Sequence, residues 1–228
     1  MYSKITFSFL VFWLIPFSIF AQIRIEKISE NINEVSVFNG LFVEIVSDAS
    51  ENKIEIKGED RGDVKVKIKN GKLKLSLPIN HIFSESDISI VLSLIDFSKI
   101  NANQGAEVEF KNKINRKTLD LESSEGSLIS GEIDLQQLNI KAVTGGIFNL
   151  YGEVVSQDIT INSGGIYDSK AVESENTEVK VSYGGEAKIF ASKKCDAKVT
   201  AGGNIKIFGQ PKELTQVIKL GGNIEEME

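Results

Sequence analysis

Thr144-Gly145-Gly146-Ile147-Phe148, Ser163-Gly164-Gly165-Ile166-Tyr167 and Tyr183-Gly184-Gly185-Glu186-Ala187 are three copies of one pattern. Ala201-Gly202-Gly203-Asn204-Ile205 and Leu220-Gly221-Gly222-Asn223-Ile224 continue it. The first glycines of the pairs stand 18 to 20 residues apart. A fixed period of this length marks a solenoid, in which each repeat buries its apolar face only against its neighbours. Aligned on the first glycine, the flanks repeat too. Three positions on stand Phe148, Tyr167, Ala187, Ile205 and Ile224, and five positions on stand Leu150, Ser169, Ile189 and Ile207, with Glu226 in an incomplete last turn. Seven positions on, the residue is small: Gly152, Ala171, Ala191, Gly209.

A second apolar strand precedes each pair. Ile140, Ile159, Val179 and Ala197 stand five residues before it, with Gln216 breaking the column; Ala142, Ile161, Val181, Val199 and Ile218 stand three before it. Each repeat therefore reads turn, strand, small-residue corner, strand. At about 3.3 Å per residue, a 19-residue repeat traces roughly 60 Å, and successive coils stack about 4.8 Å apart with parallel hydrogen bonding. The expected core comprises Leu119, Leu121, Ile129, Ile140, Phe148, Leu150, Ile159, Ile161, Val179, Val181, Ile189, Val199, Ile205, Ile207 and Ile218. Gly145, Gly146, Gly164, Gly165, Gly184, Gly185, Gly202, Gly203, Gly221 and Gly222 are expected as structural turns, because glycine accepts positive φ and lets backbones approach closely. Asn149, Asp168, Lys188, Lys206 and Glu225 form an outward polar column, in which Asp168 faces Lys188 and Lys206 faces Glu225.

Upstream, residues 23–100 alternate with period two, the mark of half-buried strands. Val64-Lys65-Val66-Lys67-Ile68-Lys69 meets Lys72-Leu73-Lys74-Leu75-Ser76-Leu77 across Asn70-Gly71. Two alternating runs joined by Asn-Gly signal a hairpin, since the tight turn needs positive φ at both central residues. Pro78 closes the second run. Residues 80–87 read as a loop, followed by an apolar strand over 88–97. Gly105 and Gly126 continue the glycine register loosely toward the N-terminus. The expected fold is all-β: a single-stranded parallel β-helix with coils of about 19 residues over 101–228. Strands and a hairpin over 22–100 are expected to act as its cap, so that 22–228 form one structural domain.

Residues 1–21 read as a secretory signal: Lys4, then an apolar run from Ile5 to Phe20, with Ala21 as the last residue before cleavage. An uncleaved anchor is the competing reading, although the run is short for a span of about 20 apolar residues. No cysteine follows the run, so the usual acylated lipoprotein is not expected. An exported chain, in the periplasm, associated with the outer membrane or secreted, is expected, with no membrane span in its mature part.

The chain carries 26 basic and 32 acidic residues, a net charge of -6. That balance disfavours a nucleic-acid partner or an anionic membrane surface. Cys195 is the one cysteine, so no internal disulfide forms. A catalytic thiol needs a base, and the single histidine, His81, stands over 100 residues away. Cys195 shares a column with Leu138 and Leu214 and reads as a small buried hydrophobe. A phosphate-binding glycine loop must open a helix, whereas each pair here opens a β-run. The calcium-binding Gly-Gly-x-Gly-x-Asp repeat fails as well, for want of the third glycine. No cofactor and no metal is expected.

With these turns and strands in place, the chain resembles the head GIN domain family, exported and mostly bacterial proteins labelled auto-transporter adhesins. The resemblance spans about residues 35–228. It begins at Val37-Phe38-Asn39-Gly40-Leu41, runs through the Asn-Gly hairpin and ends in the glycine-rich coils. It implies a parallel β-helix of right-handed sense capped by N-terminal strands, and it carries over no catalytic residues.

Three functional readings follow. The first is a non-catalytic envelope protein, an adhesin-like binding module for an envelope protein or glycan, monomeric or a small oligomer. Tyr151, Tyr167, Tyr183 and Phe208 are its candidate glycan-contacting aromatics. The second is a polysaccharide lyase or hydrolase. It is disfavoured because Arg24, Arg61 and Arg116 lie outside the regular coils and Asp120, Asp134, Asp158 and Asp168 occupy dissimilar positions. The third is a structural self-assembler stacking coil on coil, opposed by the like charges of Glu225, Glu226 and Glu228.

Overall fold

The computed structural model describes residues 23–78 and 88–228. The expected leader, the loop over 80–87 and His81 lie outside the described residues. The strands run in chain order as β1 (Ile23–Ile28), β2 (Glu34–Val37), β3 (Phe42–Val46), β4 (Asn52–Lys57), β5 (Lys65–Lys69), β6 (Lys72–Ser76), β7 (Ser89–Ser93), β8 (Lys99–Ala102), β9 (Glu107–Phe110) and β10 (Ile114–Ser124). The series continues with β11 (Leu128–Val143), β12 (Ile147–Asn162), β13 (Ile166–Asp168), β14 (Ala171–Ser182), β15 (Glu186–Phe190), β16 (Lys194–Thr200), β17 (Asn204–Phe208), β18 (Glu213–Lys219) and β19 (Asn223–Glu226). Together they build a parallel β-solenoid of about seven turns. From β10 to β17 each strand pairs in parallel and in register with its equivalent one coil later: Ile140 lies beside Ile159, Ile159 beside Val179 and Val179 beside Ala197.

The turns explain the glycine pairs, with a division of labour that the sequence does not display. Positive φ falls on the residue before the pair and on the first glycine, as at Thr144 (φ 48°) and Gly145 (φ 75°). The same two left-handed residues recur at Asn39–Gly40, Gln104–Gly105, Glu125–Gly126, Ser163–Gly164, Tyr183–Gly184, Ala201–Gly202 and Leu220–Gly221. The second glycine is needed for space, and at Gly203 (φ 127°) and Gly222 (φ 118°) for its positive φ as well. A Cβ on Gly146 would lie 2.0 Å from the carbonyl oxygen of Ser123 in the preceding coil. The turns also bond to one another: Gly40 N–H donates to Gln104 O at 2.9 Å, Gly105 N–H to Glu125 O at 3.0 Å and Gly145 N–H to Ser163 O at 3.2 Å.

The N-terminal region departs from the order of the chain. β2 and β3 pair in parallel with β8 and β9 on one side and with β6 and β7 on the other. Residues 34–46 are therefore a full coil, slotted between two segments that follow them in sequence. Antiparallel closure falls to β1 and β4, which cover β7, and to β5, which covers β6.

The lumen is filled by the inward columns. Leu119, Leu121, Ile129, Ile140, Phe148, Leu150, Ile159, Ile161, Val179, Val181, Ile189, Val199, Ile205 and Ile207 are all buried. Ile218 is the correction. It is 49 % exposed, because β18 is the outermost strand of its sheet among the described residues and nothing lies over it. The lumen also holds a polar group that the repeat pattern conceals. Buried Tyr167 donates its hydroxyl to Gln157 Oε1 at 2.8 Å, and Gln157 Nε2 donates to Thr177 Oγ1 at 3.0 Å and to Phe190 O at 3.2 Å. Each partner satisfies another, so these side chains sit in an apolar core without an orphaned atom.

The two glycine roles separate experimentally. Gly164 has positive φ (76°) with nothing within 4 Å of an added Cβ, so Gly164→Ala is expected to cost about 1 kcal/mol from backbone strain. Gly146→Ala must displace a neighbouring backbone and is expected to cost about 3 kcal/mol or more. Urea unfolding of both variants measures the difference, and equal losses would contradict the assignment.

Candidate recognition faces

Outward residues stack in register just as inward ones do, so each face of the solenoid is ruled with columns. On the first face one column runs Lys69, Lys72, Glu34, Lys99, Asp120, Asn139, Asp158, Glu178, Asp196. Its neighbour runs Lys67, Lys74, Ser36, Asn101, Glu122, Lys141, Thr160, Lys180, Lys198. The acids Asp158, Glu178 and Asp196 stack on one another, and relief comes from lysines. Lys180 Nζ lies 2.5 Å from Glu178, Lys194 Nζ 2.9 Å from Asp196, and Lys141 Nζ 2.8 Å from Glu122. A shallow groove of about 390 Å³ runs along this face between Lys99 and Thr160.

The second face carries the column Asn149, Asp168, Lys188, Lys206, Glu225 in register. Lys188 Nζ donates to Asp168 Oδ2 at 2.8 Å; Lys206 stands beside Glu225, whose carboxylate accepts from Asn223 Nδ2 at 2.7 Å. Beside this column lie half-buried Leu128, Ile147 and Ile166, also in register. Farther along the coil, Asp134, Glu153 and Glu173 stack beside a second groove of about 320 Å³.

The candidate aromatics are scattered. Tyr167 is fully buried and faces the lumen, which removes it from any contact surface. Tyr151 is 51 % exposed on β12, and Tyr183 is 67 % exposed at a glycine turn, one coil on and at the other end of its strand. Phe208 lies under Lys170, whose Nζ is 5.4 Å from the ring centre. No shared aromatic platform results. The arginines are engaged in local structure. Arg116 pairs with Asp96 and lies 4.4 Å over the Phe97 ring, and Arg24 pairs with Glu26 and donates to Val64 O at 2.9 Å. Asp120, Asp134, Asp158 and Asp168 fall on three different columns. Among the described residues no group of three or more His, Cys, Asp or Glu side chains is placed to hold a metal ion. No helix among them is long and apolar enough to cross a membrane.

Residues 31–211 match the family described as "Putative auto-transporter adhesin, head GIN domain". The chain belongs to the head GIN domain family. Solved structures share the fold. A "putative adhesin" from Bacteroides fragilis superposes with TM-score 0.80 at 19 % identity, over 90 % of this chain and 96 % of that one. A "putative lipid binding protein" from Parabacteroides distasonis gives 0.69 at 14 %, over 91 % and 96 %. A "putative adhesin" from Parabacteroides merdae gives 0.68 at 18 %, again over 91 % and 96 %. No curated protein matches the chain. For this head GIN domain protein, the resemblance read from the glycine turns and the Asn-Gly hairpin is therefore correct.

The thiol sits in the lumen column between Thr177 and Leu214, fully buried. Burial, and secondarily Asp196 and Glu226, pushes Cys195 up to about 12. A neutral, covered thiol is a poor nucleophile. Cys195 is expected to resist a thiol-reactive chromophore in the native protein and to react at once in denaturant; native-state labelling at the free-cysteine rate would contradict its placement.

The surface pairs set a pH window. Glu34 is lowered chiefly by its hydrogen bond from Lys72, and Asp196 by that from Lys194. Their contribution is present above the unfolded carboxylate value and is lost as pH falls through the lower folded value. Lys180, Lys188 and Lys194 are raised by Glu178, Asp168 and Asp196 respectively. Theirs is present below the unfolded lysine value and is lost as pH rises through the higher folded value. Thermal unfolding is expected to show a plateau between about pH 5 and 10 that falls on both sides; a maximum near pH 3 would contradict these pairings.

Proposed function

We propose that this chain is a non-catalytic, exported binding module, adhesin-like, that presents its flat charged faces to a protein or glycan of the cell envelope. The carrying observation is the two-column first face. Its charges are held in a fixed lattice, and its groove is shallow and open rather than a closed cleft. Such a surface can match repeated groups on an extended partner, but it does not surround a reacting bond or exclude water from it. The adhesin descriptions of the family and of its solved relatives agree with this reading. The family description also supports export, to the periplasm, the outer-membrane surface or the medium. The burial of Cys195 and the pairing of Arg24 with Glu26 and of Arg116 with Asp96 disfavour these three side chains as the nucleophile or anion-binding groups of a hydrolase or lyase.

Capture from envelope extracts and a glycan array, both with the purified protein, test the proposal. Saturable capture of one partner class is expected. Empty results from both assays would overturn the binding role, and reducing-end release from any polysaccharide in the array would overturn its non-catalytic character.

A further inference from the structure

The strongest charge feature of the molecule lies outside the regular coils. The β5–β6 hairpin carries Lys65, Lys67, Lys69, Lys72 and Lys74 with no acidic residue between them, in a chain whose net charge is -6. All five lysines are exposed. The register places them on one side of the hairpin, with Lys67 directly opposite Lys74 and Lys69 directly opposite Lys72. Leu73 and Leu75, which alternate with the lysines of β6, point into the core. Like charges directly opposite one another weaken a strand pair, and here two such pairs are adjacent. Among the described residues, carboxylate relief comes only from Glu34, which holds Lys72 at 2.7 Å. Lys74 lies over the Phe38 ring, its Nζ 4.0 Å from the centre.

Lysines on an edge strand serve to block pairing with other chains, which accounts for those on β5. It does not account for Lys72 and Lys74, because β6 is paired on both sides, with β5 and with β2. A shallow groove of about 360 Å³ lies among Phe38, Lys67, Lys69, Lys72 and Lys74, so the half-buried Phe38 gives the lysines a partly apolar floor.

We propose that this hairpin is a docking site for a polyanionic polysaccharide, a linear glycan carrying carboxylate or sulfate groups. The site is narrow: the lysines stand on two strands about 5 Å apart, successive ones along a strand about 6.8 Å apart at the backbone. One extended chain fits that strip, and its anionic groups would relieve the lysine repulsion left in place among the described residues. A planar anionic membrane does not fit. Laid on the first face, it would also press on Asp120, Glu122, Asp158, Glu178 and Asp196, which continue the same two columns. An approach from the end of the solenoid would meet the edge of β5, whereas strand side chains stand perpendicular to the sheet.

The inference rests on the binding role proposed above and names its ligand class and location. The test uses the intact protein with polygalacturonate, dextran sulfate, neutral dextran and phosphatidylglycerol–phosphatidylcholine vesicles. Retention on the two anionic polymers at low salt, release at high salt and no retention on neutral dextran are expected. Lys67→Thr/Lys69→Thr/Lys74→Thr is expected to weaken polyanion binding by about tenfold or more. It removes like-charge contacts and places β-formers on the strands, so it is also expected to melt no lower than the parent. Lys117→Thr/Lys212→Thr removes two exposed lysines that lie on none of the columns named above and is expected to leave binding unchanged. Equal binding by the triple variant and the parent, equal losses in both variants, or tighter capture on vesicles than on the polymers would overturn the site. Capture from envelope extracts that survives while polyanion binding is absent refutes the lysine site alone; loss of capture from every source refutes the binding role itself.

Discussion

Parallel strands in register hold every residue of a coil about 4.8 Å from its counterpart in the next. That spacing is repeated at each level of this molecule, and it converts a one-dimensional period into two-dimensional columns. Inside, it sets Ile161 on Val181 and Val181 on Val199, so the lumen packs with residues of matched shape. At the corners it leaves no room for a Cβ on the second glycine of each pair, even where its φ is ordinary: the obstacle is Ser123 backbone at Gly146 and a methyl of Ile161, Val181 or Val199 at Gly185, Gly203 and Gly222. Outside, it sets Asp158 on Glu178 and Glu178 on Asp196. A parallel ladder has no means of separating like neighbours along a column, so relief must come sideways. Lys180 beside Glu178 and Lys194 beside Asp196 provide it within single coils.

The left-handed turns carry the second part of the constraint. Thr144, Ser163, Tyr183, Ala201 and Leu220 all hold positive φ, which side chains other than Asn, Asp and Gly adopt at a cost. Nothing about these five residue types announces that conformation. The stack over-determines it: the turn amides donate to carbonyls of the neighbouring turn, so one turn cannot relax without unpairing the next. The same column reaches back to Asn39–Gly40, where the residue types do suit the conformation. The asparagine there also reaches sideways, its Nδ2 donating to Leu77 O at 2.6 Å. The N-terminal coil is thereby fixed to the hairpin layer beneath it.

These facts mark what was legible in the sequence. The period, the inward columns and the buried thiol could be read because a parallel in-register stack writes each structural position as a fixed offset. The Asn70-Gly71 hairpin could be read because its turn chemistry is local. The slotting of β2 and β3 between β6–β7 and β8–β9 could not, since long-range strand order has no local signature and one alternating strand resembles another. The buried Gln157–Tyr167–Thr177 group was missed for a related reason. Gln157 and Thr177 occupy the column of Leu138 and Cys195, and a polar residue in an apolar column looks like a lapse until its partners are seen. Ile218 was misplaced because its column predicts burial, while burial also requires a coil on its far side. As for the candidate surface, the column through Asp168 and Lys188 was legible but the two columns of the first face and the scatter of the tyrosines were not: offset along the repeat gives a column, and exposure depends on which way the strand faces.

The position of the lysine hairpin follows from the same logic. Within the coils, a row of like charges would be stacked between like rows above and below, and the repulsion would grow with each added coil. At the margin of the sheet a strand answers to one neighbour rather than two. β5 has only β6 beside it, and β6 meets β2 at Glu34 and Ser36, where one acid already offsets Lys72. A concentrated charge is therefore tolerable at the margin, where the ladder ends, and prohibitive in the middle. The neutralised lattice of the later coils and the lysine-rich hairpin are two answers to one electrostatic problem: the first settles the charge within the fold, and the second leaves it open to a partner.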